Sequence, residues 1–122
     1  MRRRPRPEVL RTLSTRRPSA PAPGDIRLSV IVPAYGEAAA IGGTIDRIRR
    51  ELASVSDAGG LEVVVIDDGS GDGTAAAARV AGADRVLEFP ENRGKGAAVR
   101  AGMLAASGRT LVFTDADLSY AP

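Results

Sequence analysis

A chain of 122 residues has room for one domain at most. It contains neither cysteine nor histidine, which excludes disulfides, thiolate or imidazole metal sites and imidazole catalysis. The net charge of +2 is unevenly spread: residues 1–25 carry seven arginines against Glu8 and Asp25, or +5, which leaves −3 for the rest.

That first segment is rich in arginine and proline and poor in apolar residues. It cannot bury enough surface to offset its chain entropy, so residues 1–25 read as a disordered basic tail. Its charge suits anionic lipid headgroups at a membrane surface. Without interleaved aromatics it does not read as a nucleic-acid arm. It lacks the apolar stretch of a secretory signal, and the sequence contains no apolar run of 18 residues that would span a bilayer. The abundance of arginine over the single lysine, Lys95, reflects coding bias more than chemistry.

Residues 26–122 form the predicted domain. Leu28–Val32 (LSVIV) is short, β-branched and apolar, as a strand covered on both faces should be. Ile41, Ile45, Ile48, Leu52 and Val55 then recur at helical spacing and make one stripe, stopped at Asp57–Gly60. Leu61–Ile66 (LEVVVI) is a second buried strand. Thr74–Ala81 reads as a short helix ended by Gly82, and Arg85–Phe89 as a third, weaker strand closed by Pro90. Gly96–Ser107 reads as a helix with Val99, Met103 and Leu104 inward, and Thr110–Thr114 is the fourth strand. Strands alternating with helices predict right-handed crossovers and an α/β fold: a mostly parallel sheet in the order 3-2-1-4, with helices on both faces.

Ligands of such sheets bind beyond the carboxyl ends of the strands, and every unusual segment falls there. Pro33–Glu37 follows strand 1, Asp67–Thr74 strand 2, Pro90–Gly96 strand 3, and Asp115-Ala116-Asp117 strand 4. The opposite ends hold only turn formers. Carboxylates two apart in an extended segment point the same way, and a hard divalent cation, Mg2+ or Mn2+, relieves their repulsion while taking diphosphate oxygens. Asp67 and Asp68 at a strand tip can accept N–H groups of a base, whereas Asp72 reads as a helix cap. Gly94 and Gly96 let backbone N–H groups approach an anion at a helix N-terminus, with Arg93, Lys95 and Arg100 adding positive charge. A P-loop is excluded, since Phe89 stands five residues before Gly94 and Gly96 follows Lys95. The dinucleotide fingerprint also fails, with Val99 where a small residue is needed.

Taken together, VIVPAYGE…IGGTI, VVVIDDGSGDGT, NRGKGAAVRAGM and FTDADLS resemble glycosyltransferase family 2, of the GT-A fold. Within it, the likeness is to the polyprenyl-phosphate hexosyltransferases, the dolichyl-phosphate glucosyltransferase and mannose synthase group, and more to the glucosyl branch. The resemblance covers Leu28–Pro122. It implies a Rossmann-like domain that binds a nucleotide-diphospho-sugar: UDP-glucose, with GDP-mannose as the alternative. Pro33, Ala34, Tyr35 and Glu37 would line the base and ribose, and Asp67 and Asp68 would sit at the base, with Asp68 making the contact. Gly94 and Lys95 would border the donor. Asp115 and Asp117 would hold Mg2+ or Mn2+, Asp117 being the catalytic carboxylate. Ser119 falls where some mannosyl members have a glutamine that helps hold the metal. The implied reaction is inverting transfer of a hexose to a polyprenyl phosphate, by a cytoplasmic protein peripheral to the membrane.

The sequence stops five residues after Asp117. The expectation is therefore the donor-binding half of such an enzyme, truncated, weak in turnover and with strand 4 left as a bare edge. The alternative is a non-catalytic remnant or nucleotide-binding module of the same fold. A nucleotidyltransferase making sugar nucleotides would carry a glycine-arginine signature where this chain has Pro33–Glu37.

Overall fold

The computed structural model describes residues 11–14, as backbone, and residues 26–116. Five strands form one sheet: β1 (Arg11–Ser14), β2 (Leu28–Ala34), β3 (Leu61–Asp67), β4 (Arg85–Glu88) and β5 (Thr110–Phe113). The helices are α1 (Ile41–Glu51), α2 (Ala53–Asp57), α3 (Thr74–Val80) and α4 (Lys95–Ala105). The strand order is β4-β3-β2-β5-β1. The four strands from β4 to β5 run parallel, which is the 3-2-1-4 order expected from the alternation of strands and helices.

The remaining strand was not legible beforehand. Arg11–Ser14 lies within the segment read as a disordered tail, yet it pairs antiparallel with β5, Arg11 opposite Phe113 and Ser14 opposite Thr110. The edge expected to be bare is thus occupied. The remainder of residues 1–25 lies outside the described residues, as do Asp117 and Ser119.

Side-chain alternation divides the core. Val30, Val32, Ala34, Leu61, Val63 and Val65 face one way and meet Ile41, Ile45 and Ile48 of α1 and Ala78 of α3. Ile31, Val64, Ile66 and Leu111 face the other way, onto Ala98 of α4. The first helical stripe is continuous but its helix is not: Leu52 leaves the helical well at φ −113°, ψ 35°, separating α1 from α2, while Leu52 and Val55 still pack on the core. In α4 the inward face is Ala98 and Gly102; Val99 is half-buried, and Met103 and Leu104 are exposed, against expectation. The reason is steric. An ideal Cβ on Gly102 would come 2.5 Å from Ile31 Cγ2 and 2.7 Å from Ile66 Cδ1, so α4 approaches the sheet through its smallest residues.

At the amino ends of the strands a buried polar cluster ties β2, β3, β4 and the α4–β5 turn together. Glu62 accepts from the Ser29 hydroxyl (2.6 Å), the Ser107 N–H (2.8 Å) and Arg85 Nε (2.7 Å), and Gly108 N–H donates to Ser29 Oγ (2.8 Å). Burial by itself would raise the Glu62 pKa. The Ser107 N–H, the Ser29 hydroxyl and the Arg85 guanidinium outweigh it and hold the carboxyl below its ordinary value. Among the described residues, no helix is long and apolar enough to cross a membrane.

Two outcomes follow from this packing. Gly102→Val should overpack the α4–sheet contact and lower unfolding free energy by about 2 kcal/mol or more, read from the urea midpoint. Because the folded-state pKa of Glu62 is depressed, its contribution is present above the unfolded-state glutamate pKa and is lost as pH falls through the folded value. Glu62→Gln should therefore flatten the acid limb of the stability–pH curve and cost roughly 1–3 kcal/mol at neutral pH.

Candidate functional site

The site opens where the sheet parts. Thr114 N–H donates to Ile31 O (3.1 Å), so Ile31 turns its backbone groups toward β5, and Pro33, two residues on, turns the same way. The β2–β5 ladder ends at Ile31 and Phe113, so the N–H that Pro33 lacks costs no ladder bond. Meanwhile β2 runs on beside β3, as far as Ala34 opposite Asp67. A pocket of about 360 Å³ fills the gap, the low end of the range for small-molecule sites.

Four segments line it: Pro33, Ala34, Tyr35 and Glu37 after β2; Asp68 after β3; Asn92, Gly94 and Lys95 before and at the start of α4; and Asp115 and Ala116 after β5. Each is held from outside. Gly36, at φ +66°, donates its N–H to Ser70 Oγ (2.7 Å), and Glu37 N–H donates to Thr74 Oγ1 (3.1 Å), joining the loops after β2 and β3. Ala116 is buried in the core, and its carbonyl accepts the Thr44 hydroxyl of α1. The residue between the two aspartates is therefore the anchor that fixes the chain beside Asp115.

Asp68 is the most heavily bonded acid of the pocket. It is 4% exposed. Its Oδ1 accepts Arg93 N–H (2.7 Å); its Oδ2 accepts Gly94 N–H (2.9 Å) and Asn92 Nδ2 (3.1 Å). One carboxylate thus sets the loop that leads into α4. Gly69 makes the approach possible, since a Cβ there would come 2.3 Å from the Glu91 carbonyl carbon, at φ +75°. An oxygen has two lone-pair sites, so Oδ1 retains one for a further donor.

Asp67 goes elsewhere. Period-two alternation turns it to the α3 side of the sheet, where it accepts Ser70 N–H (3.0 Å) and lines a separate cavity with Gly69, Ser70 and Arg79. Asp72 was read as the helix cap, but the N-cap of α3 is Gly73; one residue before it, the Asp72 carboxylate accepts the Thr74 N–H (3.0 Å) and the Thr74 hydroxyl, which keep it more acidic than usual. At the pocket floor Lys95 Nζ donates to Asp115 Oδ1 (2.5 Å), and Lys95 lies 5.8 Å from the Phe113 ring centroid.

Of the residues anticipated for the site, Pro33, Ala34, Tyr35, Glu37, Asp68, Gly94, Lys95 and Asp115 share this pocket, Asp67 does not, and Asp117 lies outside the described residues. Since β5 ends at Phe113 and Ala116 lies in a turn, the alternation argument for the aspartate pair does not run out from the strand. Asn92 is an addition. Its signal was an amide side chain just before a glycine-led helix start. Among the described residues, no three acids gather into a metal cage.

A parallel sheet with an open polar pocket at its strand-order reversal defines a doubly wound α/β ligand-binding fold. The chain belongs to glycosyl transferase family 2, whose family model matches residues 29–122. It is 44% identical over 121 residues to a dolichyl-phosphate beta-glucosyltransferase of Drosophila melanogaster, covering 91% of this chain and 36% of that protein. A mannosyltransferase from Pyrobaculum calidifontis, solved in complex with GDP-Man and Mn2+, superposes with a TM-score of 0.66 at 38% identity, over 82% of this chain and 30% of the other. A glucosyl-3-phosphoglycerate synthase from Mycobacterium tuberculosis, solved with Mn2+, UDP and phosphoglyceric acid, gives 0.60 at 34% identity, over 75% and 33%. These are GT-A neighbours, and the chain spans about a third of the length of the proteins it matches.

The Asp68 bonds carry a direct test. Asp68→Asn keeps shape but sets an NH2 group against N–H donors, so the Arg93 and Gly94 amides should lose about tenfold or more of their protection in hydrogen exchange. Amides in the core of β3 should be unchanged.

Proposed function

We propose that this chain supplies the donor-binding part of a hexosyltransferase that moves a sugar, glucose by preference, from a nucleotide diphosphate to a polyprenyl phosphate with inversion. One observation carries the reading: tips of three strands and the start of α4 converge on one pocket with Asp68, Lys95 and Asp115. The glucosyltransferase relative and the nucleotide-bound neighbours support both substrate kinds. UDP-glucose is the donor we favour, with GDP-mannose as the alternative. The site of action we assign is the cytoplasmic side of the membrane, with the protein held peripherally.

In this reading the half-exposed ring of Tyr35 covers the base, Glu37 faces the ribose, and the spare lone pair of Asp68 accepts a base N–H. Asp67 supports the loop from behind. The diphosphate would lie toward Gly94 and Lys95, where the N-terminus of α4 begins and its first N–H groups suit an anion. The donor chemistry also fits a hard cation: Asp115 offers carboxylate oxygen at the pocket and already holds the one ammonium group nearby, with Asp117 two residues on in sequence. Mg2+ or Mn2+ held by Asp115 and Asp117 would supply Lewis-acid stabilisation of the departing diphosphate. Lys95, released from Asp115, is then free to pair with phosphate oxygen. The acceptor phosphate oxygen attacks the anomeric carbon as the bond to the nucleoside diphosphate breaks. That acceptor is anionic at neutral pH and needs no dedicated base.

Calorimetry with UDP-glucose and GDP-mannose, with and without Mn2+, tests the reading. Binding should need the metal, favour UDP-glucose, and fall at least about tenfold in Asp117→Ala and in Asp115→Asn. Absence of binding by either nucleotide would support the non-catalytic alternative.

A further inference from the structure

The neighbours solved with GDP-Man and with UDP share one fold, so the fold by itself leaves the base open. The bonding of Asp68 is more discriminating. Asp68 lines the pocket and is 4% exposed. Among the described residues its Oδ1 accepts one donor, Arg93 N–H, whereas its Oδ2 accepts two, Gly94 N–H and Asn92 Nδ2. A carboxylate oxygen offers two lone-pair sites. Oδ2 is therefore saturated, and Oδ1 can take one more N–H.

That count separates the bases. Uracil has a single imide N–H, between two carbonyls, and needs a single acceptor. Guanine presents two N–H donors side by side, at N1 and at the 2-amino group. A carboxylate serves both only if each of its oxygens has a lone pair to spare. Cytosine and adenine carry a ring-nitrogen acceptor at that position and would meet the carboxylate lone pair to lone pair. We infer that Asn92 sets the base specificity of the pocket: by occupying the second site on Asp68 Oδ2, it leaves the carboxylate one acceptor, enough for uracil and one too few for guanine. The Gly94 bond does not do this alone, since it comes from backbone and fills only one site of Oδ2. Asn92 is an exposed side chain on the pocket wall, and its Nδ2 also donates to the Asp68 carbonyl (3.2 Å), which fixes its aim. A base N–H left without an acceptor in such a site lowers affinity roughly tenfold or more. This role rests on the donor-binding reading above and deepens it. Asn92 acts through Asp68 and is a positioning residue, not itself a contact to the base.

The test is calorimetry of the full chain in Mn2+ with UDP, GDP and inosine diphosphate, whose base is guanine without the 2-amino group. Comparing the two purines removes ring size from the question. The wild-type chain should bind UDP tightest and GDP no tighter than inosine diphosphate. In Asn92→Ala the preference for GDP over inosine diphosphate should rise about tenfold, because Oδ2 regains a site for the 2-amino group. Affinity for inosine diphosphate should stay the same. The Arg93 and Gly94 amides should keep their protection in hydrogen exchange, since their bonds to Asp68 do not involve the side chain at position 92. A merely structural Asn92 would weaken all three diphosphates in parallel. That result, an unchanged ratio between the purines, or a wild-type chain that already prefers GDP to inosine diphosphate would overturn the role of Asn92 and leave donor binding standing. Binding of none of the three would overturn both.

Discussion

The parting of β2 from β5 is the constraint on which the site depends. Of the three right-handed crossovers, those through α1 and α3 step one way along the sheet and the one through α4 steps back, so α1 and α3 cover one face and α4 the other. Between β2 and β5 the connections diverge, and the ladder between them ends at Ile31 and Phe113. Pro33 reinforces this, because a residue with an N–H there would offer a further donor toward the β5 side. The pocket is therefore a product of topology first and of side chains second. Its polar residues come from loops that would lie far apart in any other strand order.

Within that gap the acids are used differently. Asp68 is buried and its charge is balanced by N–H donors of the following loop, which fixes backbone rather than leaving charge free. Asp115 is partly exposed and balanced by a lysine on a flexible stem. A buried carboxylate held by three donors resists rearrangement, whereas a partly exposed ion pair exchanges partners at low cost. The first suits a scaffold and the second suits a site whose charge must change when an anion enters. At the other end of the sheet, Glu62 repeats the scaffold role, linking three strands and a turn. Rigidity at the amino ends and at Asp68 thus frames adaptable charge at Asp115.

Much of this was legible because periodicity reports on tertiary environment. The runs LSVIV and LEVVVI could only be buried strands, and the Ile41–Val55 stripe needed an apolar face to lie on. The clustering of polar residues at one set of strand ends located the pocket. Other features were hidden for identifiable reasons. The inward face of α4 is Ala98 and Gly102, which carry less hydrophobic signal than the exposed Met103 and Leu104, so the larger side chains were read as the inward face. Asp67 and Asp68 were grouped by adjacency, although alternation along β3 already required them to face opposite sides. Arg11–Ser14 has no apolar pattern of its own, and its pairing depends on an unfilled edge elsewhere in the chain.

That edge bears on how the sheet avoids self-association. A parallel strand with free N–H and C=O groups is a template for another chain, and β5 was expected to be one. With β1 paired to it, the outermost ladder on that side is antiparallel and only four residues long. On the far side β4 is equally short, and its ends carry Arg85 and Glu88, paired with Glu62 and Arg79. Short strands and charged flanks are the usual defences of exposed edges. Among the described residues, the large exposed apolar side chains other than Tyr35 are helical, Leu104 and Met103 on α4 and Val80 at the end of α3. Association through such surface depends on burying apolar side chains and not on backbone pairing. It should therefore weaken on cooling, whereas edge-to-edge strand addition would persist.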